Sequence, residues 1–556
     1  MTPRPTARTT AATTVALIAL VLAPAVLAPA RAQTADALFA VRKNVGLFGE
    51  LYRVLASEYV EPVDAERLMR TGMAAMTAEL DPYTVFFDEA TTAAGRLQQG
   101  RDVGGVGVVV AQAGGRLVVA AVLGASAGEA QGVRPGDAVV TIAGRPAAAL
   151  TAAAATALLR GEPGSVVAVE LEREATAGPP VRLTFQLARA EDATDRVAFS
   201  GFAGAPADGV AYVRLSDFLG PASAQIRTAI AGVQAQGTVR AVILDLRGNP
   251  GGLLNEAVAV SGLFLPQGTL VTATRGRAEG MAATYRTVEA PLLPDVPVAV
   301  LVDRHSASAS EIVAGALQDH DRAVVVGETT FGKGLVQVVR PMPYGTALKL
   351  TVSRYTTPSG REIQRLTYAQ GTVATAVADA DRRAFRTDAG RPVRSGGGIE
   401  PDVAMPLGEP SALEEALVRE AAFLRFANRY AADHPDVGAS FRVTDAVWAA
   451  FRQTLAGVAY ETPAELAVDA LERDLAAAGT EAPAEVAALR RVAAQDKARD
   501  AERHAPRLRA RLRQEVLARA VGQRGLAEAA LADDAVLAAA RALVLDPARY
   551  GRALGR

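Results

Sequence analysis

The chain contains no cysteine, which excludes disulfides, a thiol nucleophile and a thiolate metal site. Histidine is scarce: His305, His320, His434 and His504 are scattered, and none forms a ligand pair at helical spacing, so no metal site is expected. Neither sign of charge is in excess. Lys and Arg together number 59 against 60 for Asp and Glu, a formal net charge of −1; neither nucleic acid nor an anionic membrane surface is expected as a partner. Lysine is used sparingly beside abundant alanine and arginine, the mark of genomic bias. Long apolar runs are absent as well. The one candidate, Val15 to Leu27, is interrupted by Pro24 and falls short of the ~20 residues of a membrane span. Arg4 and Arg8 precede it and Ala30-Arg31-Ala32 follows, so residues 1–32 read as a secretory signal peptide. The alternative is an uncleaved anchor. The mature chain is expected to be exported to the periplasm, soluble or peripheral to the membrane, and stabilised by core burial alone.

What is present fills 556 residues, room for three or four domains at about 150 residues each. Residues 33–100 form an N-terminal helical region, in which Leu38, Val41, Val45, Leu47, Leu51, Val54 and Leu55 recur at helical spacing until Asp81-Pro82-Tyr83 breaks the pattern. From 101 to 190 short strands and tight turns follow: Gly104-Gly105-Val106-Gly107-Val108 running into a strand, a second strand from Leu117, the turn Gly132-Val133-Arg134-Pro135-Gly136-Asp137, a helix near Leu150 to Arg160, and the turn Gly161-Glu162-Pro163-Gly164. This order resembles a PDZ domain. The resemblance implies that Gly105, Val106, Gly107 and Val108 present backbone N–H groups to a terminal carboxylate, beside a groove for an extended peptide. Residues 195–410 alternate strands and helices, an α/β texture. Residues 411–556 are almost wholly helical and carry no evident chemistry; packing, partner docking or oligomerisation is their expected work.

The chemistry concentrates in Ser306-Ala307-Ser308-Ala309-Ser310-Glu311 and in Phe331-Gly332-Lys333-Gly334, with Gln337 four residues on. A serine hydroxyl is a weak nucleophile until a neighbour takes its proton, and a Ser-Lys pair is one convergent solution. Lysine, with an ordinary pKa of ~10.4, must be depressed by burial or a nearby cation to act as a base at neutral pH. Ser308-x-x-Glu311 is also a helix capping box. Ser306 and Ser310 are expected to support the turn. Asp245 and Asp319 are candidates for a third group, with structural roles preferred. His305 sits three residues before Ser308, too local for a triad.

Seven blocks then fall in one order: Asp81-Pro82-Tyr83-Thr84, the PDZ turns, LDLRGNPGG at 244–252, SASASEIVAGALQDH at 306–320, GETTFGKGLVQ at 327–337, YTTPSGREIQ at 355–364 and GGIEPDV at 397–403. Together they resemble the carboxyl-terminal processing peptidases (tail-specific proteases), over residues 36 to about 410. The resemblance implies an α/β, ClpP/crotonase-like peptidase core at 195–410, with the β-rich PDZ domain, the N-terminal helical region and the C-terminal all-helical extension attached. It maps Ser308 to the nucleophile, Lys333 to the general base and Gln337 to the residue that orients the lysine. His305 departs from the glycine usual in the family. Ala309 and one of Gly251 and Gly252 are the expected oxyanion donors. No cofactor is expected, and the expected partners are proteins with unstructured C-terminal tails, with homo-oligomer or adaptor contacts assigned to the helical regions. Two rivals stand beside this reading. One is a PDZ-bearing, non-catalytic periplasmic adaptor. The other is an S-x-x-K acyl enzyme, disfavoured because Glu311 holds the lysine position.

Overall fold

A computed structural model describes residues 23–89, 104–123, 126–174, 178–191, 196–278, 280–368, 374–406 and 408–556. Most of the expected signal peptide, residues 1–22, lies outside the described residues. Among the described residues no helix is long and apolar enough to cross a membrane. The chain divides into two compact units, 1–86 and 87–556.

The first unit holds helices α1 (Ala23–Glu58) and α2 (Ala65–Ala78). Helix α1 runs through the expected cleavage site. Asp64 caps α2 by accepting from the Arg67 N–H. The break after α2 is an Asx turn: Asp81 accepts from the N–H groups of Tyr83 and Thr84 and from the Thr84 hydroxyl. The apolar stripe read along α1 is exposed at Val41, Val45, Leu47 and Leu51.

The second unit opens with an antiparallel meander of β1 (Val108–Ala113), β2 (Arg116–Val122), β3 (Ala138–Ile142), β4 (Val166–Arg173) and β5 (Val181–Ala188), in that spatial order. Helix α3 (Ala152–Leu159) lies against edge strand β1. Ile142, Leu150, Ala155, Leu171 and Leu187 close its core.

The central sheet orders β6 (Val197–Phe202), β7 (Val210–Leu215), β8 (Ala241–Asp245), β10 (Val298–Val302), β11 (Val324–Gly327) and β14 (Val403–Ala404), with β9 (Leu270–Gly276) lying in a second sheet beside the hairpin of β12 (Leu335–Pro341) and β13 (Ala347–Thr356). Every pairing from β7 to β14 is parallel. Strands of such a sheet are covered on both faces, and here β8 and β10 are buried along their whole length. Val242, Leu244, Val298 and Val300 face one way, against Ile226 and Ile230 of α4 (Ala222–Gln234), Val260 of α5 (Leu254–Gly262) and Val313 and Leu317 of α6 (Ala309–Asp319).

The alternate residues Ala241, Ile243, Ala299 and Leu301 face the other way, against Val536, Leu537, Leu543 and Val544 of α7 (Ala535–Val544) and Tyr550 and Leu554 of α8 (Pro547–Ala553) and the chain end. The Tyr550 hydroxyl donates to the Val298 carbonyl and accepts from the Val298 N–H. Residues 413–516 build a core of their own around Trp448 and Phe451, and 535–554, further along the same helical extension, cover the second face that a parallel sheet must bury.

Candidate active site

Strands β8 and β10 are neighbours, and their carboxyl ends lead into the two segments that carry the chemistry. Ligands of open parallel sheets bind beyond such ends. Beyond β8 the turn 246–252 is pinned to the segment 303–310 that follows β10. Gly248 N–H donates to Asp303 (2.9 Å), the Ser306 hydroxyl to the Leu246 carbonyl (2.8 Å), and both Ala307 N–H and the Ser310 hydroxyl to the Asn249 carbonyl (3.0 and 2.9 Å). Ser306 and Ser310 are buried with their hydroxyls committed to this turn; Ser308 is partly exposed.

Ser308 is the strained residue of the three, with φ 56° and ψ −111°. A non-glycine residue there costs on the order of 1–3 kcal/mol and persists only where the surroundings impose it. It stands at the N-cap of α6, with the Ala309 N–H at the helix start. What imposes the conformation is Glu311, fully buried one turn in. Its Oε2 accepts from the N–H groups of Ser308 (2.8 Å) and Lys333 (2.9 Å). Its Oε1 accepts from Gly332 N–H (2.7 Å) and the Thr330 hydroxyl (2.6 Å). Burial pushes the Glu311 carboxyl above its ordinary range, against the pull of these four donors. The buried Tyr355 closes the clamp from the other side, its hydroxyl lying 3.1 Å from the Ser308 carbonyl and 2.7 Å from the Lys333 carbonyl. The backbones of Ser308 and Lys333, 25 residues apart in sequence, thus share one carboxylate and one phenol.

Lys333 is half-buried between Gly332 and Gly334. Gly332 has φ +85°, and a Cβ there would lie 2.4 Å from the Arg365 Cβ, so only glycine lets the chain pass. Gly334 N–H donates to the Gln364 side chain at 2.7 Å. Gln337, on β12, donates to the Thr351 hydroxyl of β13 at 3.4 Å. A register shift between Val336 and Gln337 re-aims the strand there.

The Gly251 backbone comes close to the Ser308 segment. A Cβ at Gly251 would lie 2.8 Å from both Ser308 Cβ and Ala309 N, at φ +96°. Its own N–H donates to the Asn249 side chain at 2.9 Å. Gly252 forms a parallel bridge with Phe218, made by the Phe218 N–H to the Gly251 carbonyl and the Leu253 N–H to the Phe218 carbonyl.

A model described as Peptidase family S41 matches residues 209–372, and one described as probable PDZ-protease, C-terminal helical domain, matches 413–544. The carboxy-terminal-processing protease of Bartonella bacilliformis is 31% identical over 326 residues, 58% of this chain and 73% of that protein. The chain belongs to peptidase family S41. The carboxyl-terminal-processing protease of Synechocystis sp. is 37% identical over 252 residues, covering 45% of this S41 peptidase and 57% of the relative. Among solved structures, the photosystem II D1 C-terminal processing protease aligns over 68% of this chain and 96% of that one, at 27% identity and a TM-score of 0.37.

The remaining candidates of this S41 peptidase fall elsewhere. Asp319 closes α6, about 16 Å along the helix from Ser308 at 1.5 Å per residue; it accepts from Arg361 and from Ser359 N–H. Asp245 is fully buried and accepts from the Tyr212 hydroxyl and from Arg247. His305 is exposed. In the β-meander, Gly105 bridges to Ala190, Gly107 adopts φ +71° and Val108 begins edge strand β1. Val106 is buried, so a ligand there would meet its backbone and not its side chain. Glu311 and Tyr355 are the residues whose roles motif spacing did not disclose. The capping-box pattern showed only the Ser308 half of the Glu311 contacts.

Proposed function

We propose that this peptidase is a serine endopeptidase working through Ser308 and Lys333 on proteins with unstructured C-terminal tails. The observation that carries the reading is the clamp of Glu311 and Tyr355, which binds the Ser308 and Lys333 backbones into one unit around a strained serine. Neutral Lys333 takes the Ser308 proton as Oγ attacks the scissile carbonyl carbon, and Gln337 orients the amine. The oxyanion is held by the Ala309 N–H and by a glycine of the turn, each such donor contributing about 3 kcal/mol. Gly252 is favoured, because the Gly251 N–H is already given to Asn249. Lys333 then delivers the proton to the leaving amine, the peptide bond breaks, and an acyl ester remains on Ser308. A water, deprotonated by Lys333, hydrolyses that ester and restores the serine.

The β1 edge beside α3, entered over the Gly105 to Val108 backbone, suits capture of a tail by β-augmentation. Tethering this PDZ-type module to the core raises the local tail concentration, so weak affinity suffices. Export to the periplasm follows from the signal-like leader. Intact-mass analysis after treatment with a fluorophosphonate tests the nucleophile. One adduct, on the peptide containing Ser308 and missing in Ser308→Ala, is expected; an adduct elsewhere overturns the assignment.

A further inference from the structure

Arg247 fastens the oxyanion turn to the C-terminal helical region. Arg247 opens the turn, and its guanidinium is gripped on two sides. Its Nε and Nη2 donate to the buried Asp245, at 3.0 and 2.6 Å. Its Nη1 and Nη2 donate to Asp534, at 3.1 and 2.5 Å. Asp534 lies 287 residues further along the chain and is the N-cap of α7, accepting from the Leu537 N–H at 2.9 Å. Bidentate pairs of this kind fix geometry as well as contributing energy. From Arg247 the chain runs through Gly248 and Asn249, whose contacts hold the serine segment, to Gly251 against Ser308. A second tie reaches the same region: Arg304, four residues before Ser308, pairs with Glu409 and donates to the Gly408 carbonyl, which Arg507 of the C-terminal helices also binds.

We infer that Asp534 is a positioning residue for catalysis, acting through Arg247 to hold the oxyanion turn against Ser308. The C-terminal helical region thereby completes the active site in addition to covering the sheet. This rests on the Ser308 reading given above. Asparagine separates the two tasks of Asp534. Its carbonyl oxygen, in the place of Oδ1, still caps α7 and still accepts from Arg247 Nη1, but its NH2 faces Arg247 Nη2 donor to donor, so the charge and the bidentate grip are lost and the helix cap is kept.

The experiment measures kcat, KM and Tm of the full chain on an unfolded reporter polypeptide with an apolar C-terminal tail, for wild type, Asp534→Asn, Asp534→Glu and Ser308→Ala. In Asp534→Asn, kcat is expected to fall by about tenfold to a hundredfold, the scale of an ångström-sized misplacement, with KM and Tm nearly unchanged. Asp534→Glu recovers most of the loss. An unchanged kcat in Asp534→Asn overturns the inference. So does a loss that merely follows a lowered Tm and is shared by Asp534→Glu. Activity surviving in Ser308→Ala overturns the nucleophile reading instead, a result distinct from either.

Discussion

Replacing Glu311 by glutamine tests the clamp by changing one atom. All four groups around the carboxylate donate to it: Ser308 N–H, Lys333 N–H, Gly332 N–H and the Thr330 hydroxyl. The Thr330 hydroxyl donates to Glu311 while accepting from Ile399 N–H. An amide must set its NH2 against one pair. Facing Gly332 and Thr330 is the cheaper choice, since it keeps the bonds to Ser308 and Lys333. Each buried donor left without an acceptor costs about 1–3 kcal/mol, so Glu311→Gln should destabilise the core by about 2–4 kcal/mol. For a domain of this size that lowers Tm by roughly 5–15 °C. Because the Lys333 loop shifts with Gly332, kcat should also fall by about tenfold or more. Differential scanning calorimetry and steady-state cleavage on the same preparation read both effects. A variant whose Tm and kcat match wild type would refute the clamp.

Three further outcomes are expected. Gly251→Ala places a Cβ 2.6 Å from the Ala307 carbonyl and 2.8 Å from Ala309 N, in a left-handed conformation; activity should drop by about a hundredfold, measured as kcat, and near-normal cleavage would contradict a role for the turn beside Ser308. Removing residues 535–556 strips six large buried apolar side chains from the sheet, at about 1.5–3 kcal/mol each, against a total stability of about 5–15 kcal/mol. The product should be insoluble or bind hydrophobic dyes, and a soluble, active truncation would contradict the layered fold. Asp245 supplies a pH dependence. Burial alone would raise its carboxyl, but Arg247, with Arg214 and the Tyr212 hydroxyl, more than offsets this and holds it below the ordinary range. A depressed folded pKa stabilises the protein above the unfolded value of ~3.9 and is lost as pH falls through the folded value. Thermal melts below about pH 4 should therefore decline more steeply in wild type than in Asp245→Asn; parallel curves would contradict it.

Much of this was legible locally. Strands β8 and β10 announce themselves as short apolar runs ended by Asp245 and Asp303, and Gly251, Gly252 and Gly332 hold left-handed backbone where a Cβ would meet neighbouring atoms. Ser308 stands out among three serines by the 25-residue interval to Lys333 that the family resemblance implies, whereas Ser308-x-x-Glu311 by itself reads as a capping box. The rest depended on contacts that no local pattern encodes. The partners of Glu311 beyond Ser308 arrive from a loop some twenty residues away, and those of Tyr355 from two different segments. The helix 535–544 shows an apolar stripe in sequence, yet nothing in the stripe names the sheet face it covers. Arg247 reads as a turn residue until Asp534 is beside it in space. Asp319 looked eligible because it belongs to the serine helix, and the length of that helix carries it out of reach.

The central claim is a Ser308–Lys333 peptidase. Its most direct test is cleavage of an unfolded reporter with an apolar C-terminal tail, in EDTA, by wild type, Ser308→Ala and Lys333→Ala. Cleavage by wild type alone is the predicted result. Equal cleavage by Ser308→Ala, or by Lys333→Ala at neutral pH, would contradict it.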